Sequence, residues 1–559
     1  MYRIKLILFS LLAIVPSLVI AQSPLYPSGS LSNYYLQRAE IKSGILRNKM
    51  FFDLQPYTRD EAATFIEKYG NELVYGADSA NLKYVLTDNI GWHDKSIKSK
   101  KSILKYFYHD PANSFVVDND NFQFFVNPVI YYSQGYERNY PLEDPIFNNE
   151  RGIEVRGNIA HKLGFYTYFT DNQARYPTYV NDWLYKFQSV PGDGFWKKFK
   201  ETGVDHYSAR GYITFDAMKY LKFSFGHNRN FIGHGIRSLI LSDFAKDYVH
   251  LKINTKIWRF NYQNIYAELT DLQPFSQPGE SPRVALYPRK YFAAHYLSLD
   301  LLKNLNIGFY EGVVFFRQQR GFDFNYLNPI IFYRAVEHSI GSPDNVLIAA
   351  QVNYLPTKGV SLYGQYLIDE FKFSEVLAAD KWWGNKYSIQ LGLKAVDLFE
   401  VKNLDYTLEY NMVRPYTYSH DTSASNYIHF NQPLAHPLGA NLKEVINKVQ
   451  FIPFDKMYIT ATYTYSTQGV DSGGYNFGSN IFVPYSPIPW EYGVKAGQGV
   501  ESNINRVDLE LSYMLRHNFF IDFRTTYRNY NSDFDELDRN DLIFNLGVRW
   551  NATKQNLWF

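Results

Sequence analysis

Between residues 122 and 551 the chain alternates eight tight turns with nine long, polar, aromatic-rich loops. Each tight turn carries a turn residue, usually a basic neighbour, and then an apolar–x–apolar start. Lys219-Tyr220-Leu221-Lys222-Phe223, Lys358-Gly359-Val360-Ser361-Leu362 and Lys402-Asn403-Leu404-Asp405-Tyr406 are examples. Short turns on one side and long loops on the other are the signature of an all-β transmembrane barrel.

Eighteen strands are expected, near 122–134, 151–161, 163–172, 206–216, 220–227, 249–257, 260–270, 290–301, 305–316, 346–355, 360–369, 387–396, 404–413, 446–453, 457–466, 504–514, 519–530 and 541–551. Several alternate with period two. Leu404, Tyr406, Leu408, Tyr410 and Met412 oppose Asp405, Thr407, Glu409 and Asn411. Val507, Leu509, Leu511 and Tyr513 oppose Asp508, Glu510 and Ser512, and Leu542, Phe544, Leu546, Val548 and Trp550 oppose Asn545 and Arg549. The apolar faces are expected to meet lipid. The charged faces, with Asp405, Glu409, Asp508, Glu510 and Arg549, are expected to line the lumen as a mixed-charge filling. Eighteen is even, as bacterial barrels require. With the N-terminus in the periplasm, parity sends every long loop outside.

The chain ends bound the compartment. Arg3 and Lys5 precede the apolar run Leu6 to Ile20, which is too short for a confident spanning helix. Residues 1–21 read as a secretory signal, cleaved after Ala21. No Cys follows, and the chain has none, so disulfides and thiolate metal sites are excluded. Beyond the signal, no apolar run is long enough for a helical span. Yet 18% of residues are aromatic, with 49 Tyr and 43 Phe. A barrel uses that many rings as girdles at both membrane interfaces. Mean hydropathy is still polar, −0.33, since only one face of each strand need be apolar. The formal net charge of +2 includes Arg3 and Lys5, so the mature chain is near neutral and nucleic acid is not an expected partner.

Residues 22–121 differ from the rest and are expected to form a mostly helical periplasmic module, a candidate plug for the barrel mouth, with the barrel itself over 122–559. Thr58-Arg59-Asp60-Glu61 is a capping box opening a helix to about Tyr69. Further short helices are expected over 79–88 and 99–108.

Several longer strings are similar to those of a known family. They include the run from Phe225 to Gly233, the run from Arg237 to Phe244, Asn328-Pro329 with Glu337-His338-Ser339-Ile340-Gly341, Trp382-Trp383-Gly384-Asn385-Lys386-Tyr387, Arg414-Pro415-Tyr416-Thr417-Tyr418 and the run from Asn431 to Asn441. With the overall layout, they resemble the Wzi-type capsule-assembly family, in its RemB-like branch associated with gliding motility. The resemblance implies an outer-membrane lectin that holds capsular or exopolysaccharide at the cell surface, supporting attachment or gliding. Surface loops diverge with the polymer bound, so it transfers no individual sugar contacts.

Sugar binding needs flat aromatic faces plus amides and carboxylates for hydroxyl groups. Two loops offer that mixture. Trp382 and Trp383 lie in one. Tyr416, Tyr418, His420, Asn426, Tyr427, His429, Gln432, and with them Asn431 and His436, lie in the other. For any single ring, packing among the loops or membership of a girdle is the plainer reading. For the surface as a whole, ligand contact is expected, because loops on rigid scaffolds carry function. His227, His234, His420, His429 and His436 lack the pairing of a zinc-protease helix, and no metal or other cofactor is expected. No nucleophile elbow or phosphate loop is present, and the chain is read as a non-enzyme. Outer-membrane lipid, the barrel-assembly machinery and surface polysaccharide are the expected partners. A porin-like channel and a barrel enzyme acting on lipid or glycan remain the alternatives.

Overall fold

A computed structural model describes residues 23–46, 50–73, 78–92, 110–119, 121–138, 144–160, 162–272, 287–317, 321–330, 332–341, 344–534, 537–554, 557 and 559. The proposed signal at 1–21 and the helix expected over 99–108 lie outside the described residues. Among the described residues no helix is long and apolar enough to cross a membrane.

Eighteen antiparallel strands close into a barrel. They are β1 Phe122–Glu137, β2 Ile146–Ile159, β3 Leu163–Arg175, β4 Gly203–Met218, β5 Leu221–Asn228 and β6 Tyr248–Ile257. Next come β7 Phe260–Thr270, β8 Arg289–Leu302, β9 Leu305–Phe315, β10 Asn345–Thr357, β11 Val360–Glu370 and β12 Lys386–Ala395. The last six are β13 Leu404–Val413, β14 Leu442–Phe451, β15 Met457–Val470, β16 Val500–Arg516, β17 Phe519–Ser532 and β18 Arg539–Trp550. Pairing of β18 with β1, from Ile543↔Glu137 to Trp550↔Ile130, shuts the wall.

All eighteen expected strands are present. Several extend further toward the long loops than alternation indicates: β2 begins at Ile146, β14 at Leu442 and β16 at Val500, and β15 continues to Val470. At the outer ends of β15 and β16, Thr467-Gln468 and Glu501 to Asn503 are polar on both faces, so the period-two signal vanishes there while pairing continues. The tight turns need backbone at positive φ, supplied by Gly359 (φ 83°), Asn403 (58°), Asn518 (55°) and Lys456 (79°).

Alternation orients the wall as expected. Leu408, Val507, Tyr513, Phe544, Leu546 and Val548 are exposed, whereas Asp405, Glu409, Asp508 and Arg549 are buried inside.

The N-terminal region supplies helices α1 Leu31–Ser43, α2 Arg59–Leu73 and α3 Asp78–Asp88. The Thr58 hydroxyl donates to Glu61 at 2.8 Å at the start of α2, joining the two ends of the capping box. Periodicity did not indicate α1, because it is buried nearly all round: Tyr35, Leu36 and Ile41 are covered, but so are Asn33, Arg38 and Glu40. Its end signals are ordinary, with Ser30 as N-cap and Gly44 in the left-handed region (φ 68°). The helices share a core of Tyr35, Leu36, Phe52, Phe65, Leu82 and Tyr84 that reaches barrel residue Ile452.

These helices lie against the tight-turn end of the barrel. Leu46 N–H donates to Lys303 O at 2.7 Å, Gly359 N–H to Ile41 O at 2.9 Å, and Asn81 Nδ2 to Asn403 Oδ1 at 3.1 Å. Arg38 is held between Asp78, Asp397 and Asp405, with Nε 3.0 Å from Asp405 Oδ2. Residues Phe115–Asp118 form a short strand paired with the start of β1.

Candidate glycan-facing site above a filled lumen

The barrel interior is occupied from both ends. From the tight-turn end, residues 50–55 climb between the walls. Tyr296 O–H donates to Asp53 Oδ2 at 2.6 Å, and Gln351 Nε2 donates to the same oxygen at 3.0 Å. Burial pushes the Asp53 carboxyl above its ordinary range, opposed by those donors. From the other end, the 229–247 loop folds inward and pairs Phe231-Ile232 with Leu54-Gln55.

The lumenal charges hold this filling. Glu409 accepts the Ile236 and Arg237 N–H groups at 2.6 and 3.0 Å and the Tyr363 O–H at 2.8 Å. Arg237 pairs with Glu444, and His436 Nε2 lies 2.9 Å from the same carboxylate. Asp508 receives Arg506, Arg524 and Thr526; Arg549 pairs with Asp522; Lys554 pairs with Glu510. The last described residues also enter the lumen: Leu557 O accepts from Arg506 at 2.8 Å, and the Phe559 ring lies 4.8 Å from Trp183. A chamber of about 500 Å³ remains, with Arg156, Arg210, Arg229, Lys394, Asp405 and Lys448 in its walls.

The outer end is closed by a layer of loops, and most of the expected sugar contacts are inside it. Tyr416, Tyr418, Tyr427, Asn426, His429 and Gln432 are all buried. Tyr416 O–H donates to Asn476 O at 2.8 Å, Tyr418 O–H to Leu239 O at 2.7 Å, and Tyr427 O–H to Ile240 O at 2.9 Å. Asn426 Nδ2 donates to Ile481 O and Val483 O, and its Oδ1 accepts from His420 N–H at 2.6 Å. Gln432 bridges to Ser189, Val190 and Gly192. Thr270 N–H donates to His429 Nδ1 at 3.0 Å. Burial, with Lys246 and Lys290 nearby, lowers the His429 imidazole to about 3. Asn431 and His436 likewise bond within the protein. In this structure these side chains spend their ring faces and polar atoms on joining loops. The physical reason is long-range: the 414–441 loop folds into the barrel mouth over the 229–247 loop, so its aromatic residues become a core.

Trp382, Trp383 and His420 remain half-buried at the surface. Trp383 lies 5.8 Å from Trp382 and 4.8 Å from Tyr485, centroid to centroid. Lys386 Nζ sits beneath, 5.4 Å from the Trp383 ring and 4.6 Å from Tyr485, and pairs with Glu370 at 2.9 Å. A cation held by two ring faces and a carboxylate fixes the platform from below. The Trp383 N–H donates to Glu491 O at 2.9 Å, tying two loops together. Glu370, Asp421 and Glu491 present exposed carboxylates around it, and Trp490 and Tyr492 are exposed nearby. Sequence reasoning missed Tyr485, Trp490 and Tyr492. The available signal was the Pro484, Pro487 and Pro489 run, which cannot pair as a strand and so holds neighbouring rings out of the sheet.

No protein-family model matches the sequence, and no curated protein sequence gives a significant match. Among solved structures, one match spans 95% of this chain and 100% of the other, with a TM-score of 0.59 and 14% identity. The chain is similar in fold to Wzi. That protein is described as an Escherichia coli outer-membrane protein involved in group 1 capsule assembly and as a carbohydrate-binding β-barrel. At 14% identity the likeness to Wzi is one of fold. Pseudomonas aeruginosa OccK8 (OprE) matches at TM-score 0.42 and 9% identity, over 76% of this chain and 97% of that one. OprD of the same organism matches at 0.41 and 12%, over 79% and 97%.

Proposed function

We propose that this protein is an outer-membrane barrel that holds capsular or exopolysaccharide at the cell surface and carries out no reaction. The observation that supports this most is the surface platform of Trp382, Trp383 and Tyr485, ringed by Glu370, Asp421 and Glu491. Flat rings offer stacking faces for sugar C–H groups, and carboxylates accept from sugar hydroxyls. The fold of Wzi, named as carbohydrate-binding, supports the same reading.

In this proposal residues 1–21 are a cleaved secretion signal, the barrel-assembly machinery inserts the chain, and lipid surrounds the wall. Residues 22–121 act as the periplasmic plug, consistent with the contacts of α1 to α3 at the tight-turn end. The resemblance to the RemB-like branch extends the role to surface attachment or gliding.

The test is polymer retention by cells carrying Trp383→Ala with Tyr485→Ala, with heat-modifiable gel migration to verify a folded barrel. Loss of retention with an intact barrel is the expected result. A folded double variant that retains polymer like the parent would overturn the platform. The chamber of about 500 Å³ favours a second reading, a solute channel; large steady conductance of the full-length protein in planar bilayers would support it.

A further inference from the structure

The outer wall of β7, β8 and β9 carries a row of polar side chains. Asn264, His295 and Glu311 are direct cross-strand partners. Their chain neighbours Tyr296 and Tyr310 reach into the lumen, to Asp53 and Tyr427, so alternation turns His295 and Glu311 outward. Ile253 and Ile348 flank the row on either side. Glu311 lies four residues below the outer end of β9, at Phe315, or roughly 13 Å along the strand. That depth falls inside the apolar band of a barrel, about 25 Å tall, where bare charges on the lipid face are costly.

All three are nevertheless buried. Their cover is the loop between β9 and β10, which folds back down the outside of the wall. Pro329 O accepts from Asn264 Nδ2 at 3.3 Å and from Tyr262 O–H at 2.5 Å. Leu327 O accepts from Tyr266 O–H at 3.1 Å. The Tyr333 ring lies over His295, with centroids 4.0 Å apart. Tyr333–Ile340 is a helix, α4, whose N-cap position, Phe332, provides no side-chain cap. Glu311 supplies it from the wall: its Oε1 accepts the Arg334 N–H at 3.1 Å. The base of the loop is closed by Arg317 and Tyr326 on Asp344, at 2.7 Å each. The polar row is therefore a dock for this segment.

The segment's far side is apolar and open. Phe324, Ile330 and Phe332 are 79%, 80% and 75% exposed. On the wall itself, Phe309 and Ile348 are exposed as well. In contrast, the exposed positions of α4 are Arg334, Ala335, His338 and Ser339, a face suited to the headgroup region, where long basic side chains rise to water. We infer that the described part of 321–341 is a strap embedded in the outer leaflet, with Phe324, Ile330 and Phe332 seated among lipid acyl chains. Asn264, His295 and Glu311 hold it there. This rests on the membrane-barrel reading and goes beyond it, since a long outer loop would otherwise stand in water.

The cysteine-free chain permits a direct test. Single variants Ile330→Cys, Phe332→Cys, Phe309→Cys and Gly473→Cys of the full chain are labelled with bimane in detergent and reconstituted into phosphatidylcholine vesicles. Phe309 reports the wall, and Gly473 reports an open outer-loop position with nothing packed on it. Labels at 330 and 332 are expected to match 309, with blue-shifted emission, strong quenching by doxyl-labelled lipid and weak quenching by iodide. The strap is overturned if 330 and 332 behave like 473 while 309 stays lipid-like. Shielding of 330 and 332 from both quenchers, varying with protein-to-lipid ratio, would make a second copy the occupant and overturn lipid. Iodide quenching at 309 as well would overturn the membrane reading itself.

Discussion

Arg237 and Glu444 meet inside the barrel as a two-pronged ion pair, Nε to Oε2 at 3.2 Å and Nη2 to Oε1 at 3.0 Å. Both side chains are buried, and they come from different parts of the fold: Arg237 from the inward loop, Glu444 from β14. The pair fastens the filling of the lumen to its wall.

Removing one partner of a buried pair costs about 3–5 kcal/mol, because the other charge is left without its counter-ion. Arg237→Ala should therefore lower the temperature at which the heat-modifiable band converts and should loosen the 229–247 loop to protease. Arg237→Met combined with Glu444→Gln, which removes both charges, should recover most of the loss. An Arg237→Ala protein with parental melting and protease resistance would show that the pair does not secure the loop.

The lumen filling predicts low conductance. Residues 50–55 meet the 229–247 loop, and α1 to α3 lie against the turns. Full-length protein in planar bilayers should show small, rare openings, and deletion of 58–108 should raise conductance severalfold. Equal conductance in the two proteins would mean that the helices do not control passage.

His429 predicts the pH response of the loop layer. Its buried imidazole titrates at about 3 in the fold, against about 6.5 in an unfolded chain. A depressed histidine contributes stability that is complete above 6.5 and is lost as pH falls toward 3. By pH 5 the loss is about 2 kcal/mol. His234, lowered to about 3 by burial and Lys394, acts in the same direction. Limited proteolysis of the outer loops should therefore accelerate between pH 7 and 5, and His429→Asn should flatten the profile. A rate independent of pH in the parent would contradict this.

The platform and the buried tyrosines predict different failures. A stacking ring is worth about 1–3 kcal/mol, by analogy with bases on aromatic side chains. Losing Trp383 and Tyr485 together should weaken polymer retention about tenfold or more while leaving the barrel intact. Tyr427→Ala removes a buried ring whose hydroxyl reaches Ile240 O and lies 2.9 Å from that of Tyr310. That change should cost about 3–5 kcal/mol of stability and alter loop protection before it alters binding. A Tyr427→Ala variant of parental stability that fails to retain polymer would return that ring to the binding site.

Much of the architecture was legible because it is local. Period-two alternation told lipid-facing Leu408 from lumenal Glu409, and the turn residues Gly359, Asn403 and Asn518 marked where strands reverse. Thr58 and Glu61 announced α2 for the same reason. Alternation failed where environment stopped alternating: at the outer ends of β15 and β16, polar on both faces, and in α1, buried nearly all round.

By itself, the sequence determined the strand number, the facing of residues in the clearly alternating strands and the contrast between short turns and long loops, since these follow from turn chemistry and the pleat. Only the tertiary structure decided which rings reach the outer surface. Tyr416, Tyr418 and Tyr427 look like Trp383 in the sequence, yet they pack beneath the outer surface, because the 229–247 loop and residues 50–55 fill the lumen that their own loop then caps. Tyr485 joins the surface platform because Trp383 N–H donates to Glu491 O and Tyr485 N–H donates to His420 O, tying its loop to two others. Glu311 can sit on the outward face of β9 because a helix some twenty residues later brings the Arg334 N–H to it. Such contacts join residues far apart in the chain, and no local pattern encodes them.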